Sequence, residues 1–307
     1  MRGWFKRNNN DRKGWWCKPK PEVVKPAEKP VENDKPITRA VLIGINYTGT
    51  RSELRGCIND TRNVFMWLTQ DCGYDSNEIR AYTDEKYSPD DRIPTRQNIC
   101  QAIKWLHEPV KSAGGKPVHL FLHYSGHGSW TYDRNGDESD GRDESICPLD
   151  YAKAGCIVDD ELKRIVVDPI ANNPNVKLSC LFDCCHSGTA LDLRYDHEVK
   201  VKSNDPDKRA FTMIQRKSYQ PTLCDLTLWS GCLDSQTSAD AYISRTSQGA
   251  MTWGFLSVIR KYQKRGKKLT FKRVLAEVQI LLAESGFEQI PHLSSGKLIG
   301  LGDEILF

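Results

Sequence analysis

Short apolar runs and longer stretches of helical periodicity alternate along most of the chain. The β-type runs fall at 40–45 (AVLIGI), 79–82, 118–124 (VHLFLHY), 178–182 (LSCLF), 226–230 (LTLWS) and 290–293. Several carry few polar interruptions, as strands do when helices cover both faces of their sheet. Amphipathic segments lie between them at 58–68, at 99–106 behind a Thr95 cap, at 162–166 behind Asp159, at 251–262, and at 274–282 ending near Gly286. This rhythm predicts an α/β domain with a largely parallel sheet. Two stretches break it. From Leu193 to Pro221 the sequence is polar and rich in Lys and Arg, which reads as a long loop. Residues 1–36 set five prolines among Lys and Glu with few aliphatics, the composition of a flexible, partly extended arm. Trp4, Phe5, Trp15 and Trp16 could dock that arm on a partner, although an undocked tail is the plainer reading.

The 307 residues, 38% hydrophobic and 27% charged, suffice for one large domain or two small ones. No apolar run approaches the roughly 18 residues of a spanning helix, so no transmembrane segment is expected. The first residues contain no apolar stretch with a small-residue cleavage site, which makes a cytoplasmic or nuclear location the default expectation. The formal charge of +4 is unevenly placed, because residues 1–36 hold ten Lys and Arg against five Asp and Glu. The remainder is close to neutral, which argues against a nucleic-acid partner. Eleven cysteines form no CxxC pair and fit neither a disulfide framework nor a zinc ribbon. Most should be reduced core thiols.

In open α/β sheets, ligands sit beyond the carboxyl ends of the strands. Two strand ends stand out. VHLFLHY runs into Ser125-Gly126-His127-Gly128, and LSCLF runs into Asp183-Cys184-Cys185-His186-Ser187-Gly188. An imidazole and a thiol on separate strand ends are the ingredients of nucleophilic acyl transfer, with flanking glycines exposing backbone N–H groups to a developing oxyanion. Zinc ligation by Cys184, Cys185 and His186 fails, because neighbouring residues on a strand point to opposite faces and no second pair completes four ligands.

HYSGHG and DCCHSG, with INYTGTRSELRGCINDTRNV ahead of them and GCLDSQTSADA and GAMTWGF behind, make the chain resemble a type I metacaspase of the caspase-like clan of cysteine peptidases. The resemblance implies a caspase-like three-layer sandwich with a central, mostly parallel sheet flanked by helices. It divides residues 37–307, one peptidase domain, into a large-subunit-like region (37–192), a basic linker (193–222) and a small-subunit-like region (223–307). It implies that His127 is the general base, Cys185 the nucleophile, and the backbone N–H groups of Gly128 and Cys185 the oxyanion donors. It places Cys57, Asp60 and Asp183 in the pocket for the residue before the cleaved bond. Two carboxylates there favour Arg or Lys and repel Asp. Cys57 and Asp60 are one helical turn apart, and Asp183, at the end of a strand, is costly to bury unless it meets a cation.

The acidic run from Asp133 to Glu144 has oxygen ligands at EF-hand-like intervals, but its sixth place is Glu138 instead of glycine, which weakens that reading. The resemblance implies calcium at Asp143, Asp159, Asp160 and Asp192 instead; Asp159 and Asp160 would also serve as helix caps. If the pocket takes basic residues, the chain could cut its own linker, with Arg194, Lys200, Lys202, Lys208, Arg209, Arg216 and Lys217 as candidates. The expected protein is a calcium-dependent monomeric endopeptidase acting on protein or peptide substrates after Arg or Lys. The alternative is a non-catalytic scaffold on the same fold that acts through its arm.

Overall fold

The computed structural model describes residues 35–133, 141–185, 187–201, 203–231, 240–243, 246–287, 289–305 and 307. The arm at 1–34, most of the acidic run at 134–140, and residues 232–239 of the GCLDSQTSADA block lie outside them. The chain runs through β1 (Ile37–Gly44), α1 (Cys57–Gln70), β2 (Ile79–Thr83), α2 (Arg96–Leu106), α3 (Glu108–Ser112) and β3 (Val118–Ser125). A small antiparallel sheet of β4 (Gly128–Tyr132), β5 (Arg142–Ile146) and β6 (Ile157–Val158) follows, with α4 (Tyr151–Ala154) between its last two strands. Then come α5 (Asp159–Leu162), continued by a π-helical segment (Lys163–Val167), and β7 (Val176–Asp183), β8 (Tyr195–Val201), β9 (Ala210–Gln215) and β10 (Asp225–Ser230). The hairpin β11 (Asp240–Ile243) and β12 (Thr246–Gly249), α6 (Ala250–Gln263), α7 (Phe271–Glu284) and β13 (His292–Ser295) complete the chain.

Eight strands make the main sheet in the order β2-β1-β3-β7-β10-β13-β8-β9, with the first five parallel and the others joined antiparallel. Period-two alternation sends adjacent side chains to opposite faces. Val41 and Ile43 of β1 pack with Leu120, Leu122, Leu178, Phe182 and Leu228 against Ile99 and Ile103 of α2 and Leu162 of α5. Ala40 and Leu42 of the same strand join Phe121, Leu181 and Trp229 against Trp67 of α1, Phe255 of α6 and Val274 of α7. The result is a three-layer α/β sandwich, as the sequence predicts. Each fully buried Leu, Ile or Phe of these layers contributes roughly 1.5–3 kcal/mol.

The stretch expected to be a loop is instead the β8–β9 hairpin at the sheet edge. YDHEVKV and AFTMIQ carry Tyr, Val, Phe and Ile at strand-like intervals, and charged side chains suit an edge that must not recruit a further strand. Helix starts follow local chemistry. Thr95 caps α2 through the Asn98 amide at 3.2 Å, as expected. Gly56 gives α1 no side-chain cap, and the Asn46 side-chain oxygen takes that role from the end of β1, accepting the Cys57 and Ile58 amides at 3.1 and 3.4 Å.

Candidate active site

β3 and β7 are parallel neighbours at the centre of the main sheet, and their register ends with Ser125 opposite Asp183. His127 and Cys185 each lie two residues beyond that pair. Parallel strands sit about 4.8 Å apart, so the register alone brings imidazole and thiol to one place. Gly128 shows how closely the two ends meet: a Cβ there would lie 1.8 Å from the Cys185 carbonyl oxygen and 3.3 Å from its nitrogen. No side chain fits between them. Cys185 and His127 are half-buried, whereas Cys184 is fully buried in the core.

His127 is held through both its ring and its backbone. Its Nε2 lies 2.7 Å from the Ser52 carbonyl. A carbonyl only accepts, so Nε2 carries the proton and Nδ1 keeps the lone pair. The Tyr47 ring lies 4.7 Å from the imidazole, and the Tyr47 hydroxyl accepts the His127 amide at 3.0 Å while donating to the Cys147 carbonyl at 2.5 Å. The Tyr124 hydroxyl donates to the His127 carbonyl at 2.7 Å. Burial raises the Tyr47 and Tyr124 hydroxyls well above their ordinary range, so both stay protonated. Gly126 is required beneath this arrangement, because a Cβ there would meet the Tyr124 hydroxyl oxygen at 2.8 Å.

The two carboxylates expected in the pocket also converge. Asp60, fully buried on α1, accepts from the Ser125 hydroxyl at 2.7 Å and from the Gly249 amide at 2.9 Å. Asp183, 3% exposed, accepts from the Thr252 amide at 2.7 Å. A Cβ on Gly249 would lie 2.2 Å from one Asp183 oxygen and 2.6 Å from one Asp60 oxygen, so both acids crowd the same glycine. Gly249 is the N-cap of α6 and brings no side chain of its own. Asp60 and Asp183 therefore cap that helix from outside, at the end where its dipole favours negative charge. Cys57 opens α1, buried, one turn before Asp60. Behind them His123 places Nε2 3.3 Å from the Thr252 hydroxyl, and burial lowers its pKa to about 3, so it is neutral.

The carboxylates expected to hold calcium occupy adjoining segments. Asp143, Asp159 and Asp192 are buried, whereas Asp160 is exposed. Asp159 accepts the Glu144 amide at 2.6 Å and the Asp160 amide at 2.7 Å, Thr189 donates to Glu144, and the Asp192 amide donates to the Thr189 carbonyl at 2.7 Å. Hard oxygen donors suit a hard cation. Among the described residues, however, no three His, Cys, Asp or Glu side chains converge as a ligand set.

The self-cleavage candidates divide by environment. Arg209 is buried, donating to the Gln279 side chain at 2.6 Å, and Arg216 pairs with Asp196. Arg194 donates to the Tyr219 carbonyl. Lys208 and Lys217 are exposed, while the side chain of Lys200 and the whole of Lys202 lie outside the described residues. Sequence reasoning missed Tyr47, Ser52, Ser125, Gly249 and Thr252. All five lay in quoted blocks, but Ser52 and Gly249 act through backbone atoms that every residue type possesses.

The sequence profile described as "Metacaspase, peptidase C14 domain" matches residues 38–194. Metacaspase-1 of Sclerotinia sclerotiorum is 38% identical over 294 residues, covering 83% of this chain and 65% of the relative. Metacaspase-1 of Kluyveromyces lactis is 37% identical over the same shares of each chain. The chain thus spans about 65% of the length of these relatives. Among solved structures, protein GSU0716 from Geobacter sulfurreducens superposes with a TM-score of 0.56 at 20% identity, over 88% of this chain and 98% of its own, a likeness of fold.

Proposed function

Because the chain belongs to the metacaspase family of C14 peptidases, we propose that it is a cysteine endopeptidase that cleaves after Arg or Lys and depends on calcium. The observation that carries the reading is the Ser125–Asp183 register with Gly128 packed on Cys185, which supports a nucleophile and base on touching strand ends.

In this reading the Cys185 sulfur attacks the scissile carbonyl carbon and its proton passes to His127 Nδ1, the nitrogen that the Ser52 contact leaves with a lone pair. The carbonyl oxygen becomes an oxyanion beside the Gly128 and Cys185 N–H groups. His127 then protonates the leaving amine, the C–N bond breaks, and an acyl-enzyme thioester remains. Water, deprotonated by His127, releases the acid and restores the thiol.

Asp60 and Asp183, buried together where Ser125, Gly249 and Thr252 donate to them, supply the negative charge that draws a guanidinium or ammonium into the pocket. Calcium would be held by Asp143, Asp159, Asp160 and Asp192, whose side chains would have to close around the ion, since among the described residues no three such groups converge. In self-cleavage, the bonds after Lys208 and Lys217 are the exposed ones among the described candidates; a bond after Arg209 would require local opening. A peptide library profiled with and without calcium tests the whole reading: cleavage after Arg and Lys supports it, and turnover of Asp-ending peptides refutes the pocket. Loss of turnover in Cys185→Ala checks the nucleophile.

A further inference from the structure

β5 and β6 pair antiparallel with Ser145 opposite Val158 and Ile146 opposite Ile157. One step further along that register, Cys147 faces Cys156, and the two sulfurs lie 3.3 Å apart. Opposed residues of an antiparallel pair have Cα atoms about 4.5–5.5 Å apart, inside the roughly 4.4–6.8 Å that a disulfide spans. The strands thus admit a disulfide, and drawing the sulfurs from 3.3 Å to the roughly 2.05 Å of an S–S bond pulls the two chain segments together on top of side-chain rotation. Cys156 is half-buried and Cys147 buried, so a solute reaches one sulfur and the other waits behind it.

The pair is tied to the candidate base. The Cys147 amide donates to the His127 carbonyl at 3.0 Å. Its carbonyl accepts from Tyr47 at 2.5 Å, through the same hydroxyl that receives the His127 amide. Any shift of Cys147 is thus passed to both backbone polar groups of His127.

We propose that Cys147 and Cys156 form a reversible oxidation site for a peroxide, and that their disulfide displaces the Cys147 backbone that anchors His127 and slows peptide cleavage. The second half rests on the peptidase reading above; the first does not. The hydrogen bond from Cys147 pulls the Cys156 thiol below its ordinary range, while the same contact and burial push Cys147 up, which makes Cys156 the attacking thiolate. The Cys156 thiolate attacks one peroxide oxygen, breaking the O–O bond; it becomes a sulfenic acid, and the other oxygen leaves as water or an alcohol after taking a proton. The Cys147 thiol then attacks the Cys156 sulfur and loses its proton, the S–O bond breaks, and water leaves. Two thiols have given two electrons to one peroxide. A dithiol reductant reverses the change.

The test uses the full chain carrying Cys185→Ala, so that neither the nucleophile nor proteolysis interferes. Hydrogen peroxide treatment followed by peptide mapping is expected to show residues 147 and 156 cross-linked, and the link lost on adding dithiothreitol. If both cysteines remain alkylatable while other thiols oxidise, the site is overturned. In the wild-type chain, Cys185 is shielded during oxidation by a reversible peptide aldehyde that is then dialysed away. Turnover of an Arg peptide is expected to fall about tenfold and to return with dithiothreitol, whereas Cys156→Ser, read alongside Cys156→Ala, keeps its turnover. A cross-link without loss of turnover overturns the coupling to His127. A chain that cleaves no peptide before oxidation sinks the peptidase reading instead, and the cross-link still judges the oxidation site.

Discussion

His127 points its Nε2 at the carbonyl of Ser52, 2.7 Å away, and that single backbone acceptor decides which ring nitrogen is basic. The 46–54 turn that presents it is closed by the Leu54 amide on the Asn46 carbonyl at 2.7 Å and by the Thr50 hydroxyl on the Tyr47 carbonyl at 2.7 Å. Asn46 also caps α1. Asn46→Ala is expected to cost about 1 kcal/mol in denaturant melts and to lower kcat more than it raises KM. Unchanged kcat would separate the turn from the base.

Tyr47→Phe removes a hydroxyl that both accepts the His127 amide and donates to the Cys147 carbonyl. Leaving a buried donor without that acceptor costs about 1–3 kcal/mol. The expected result is a lower melting temperature and reduced turnover with the Arg preference intact, checked by calorimetry and by competing Arg and Asp peptides.

Gly128→Ala inserts a methyl group where the Cys185 carbonyl oxygen already stands, 1.8 Å from the ideal Cβ position. The two strand ends must then part. Turnover should fall by at least about a hundredfold, while circular dichroism retains the sheet signal; wild-type activity in the variant would mean that the contact does not align the dyad.

Asp183→Asn keeps an acceptor for the Thr252 amide but removes one negative charge from the pocket. Its stability should change by less than about 1 kcal/mol, and its kcat/KM for an Arg peptide should drop at least tenfold, about 1.4 kcal/mol. Equal losses on Arg and on uncharged peptides would show that the residue acts on the helix alone.

His123 is buried and neutral, its pKa lowered from 6.5 to about 3 by desolvation. As pH falls below about 6.5 the unfolded chain takes up a proton that the folded chain refuses, so stability declines steadily until about pH 3. The slope for one such group is about 1.4 kcal/mol per pH unit. His123→Gln should flatten the curve in urea melts between pH 6.5 and 4; parallel curves for the two proteins would exclude the group.

The central strands β1, β3, β7 and β10 were legible because their buried runs are largely apolar on both faces, a pattern that surface loops do not produce, whereas β2 and β13 showed only as short β-type runs. The β8–β9 hairpin was not legible, since an edge pair covered on fewer sides carries charge where a central strand carries Val or Leu. His127 and Cys185 stood out by residue type and strand-end position, whereas Asp60 and Asp183 were expected in the pocket through the family resemblance. Ser52 and Gly249 were not, because a carbonyl or an amide contributes nothing to sequence pattern; only the folded turn aims it.

In the proposed reading, the external capping of α6 ties the preference for Arg or Lys to architecture. Inverting the pocket to welcome acidic side chains would mean exchanging Asp60 and Asp183 for cations, and those cations would face the amide end of a helix that repels them. A lineage built on this layout could not drift toward acid-directed cutting one substitution at a time without unravelling the first turn of α6. A switch of that kind would demand a new way to begin the helix before, or together with, the change of charge.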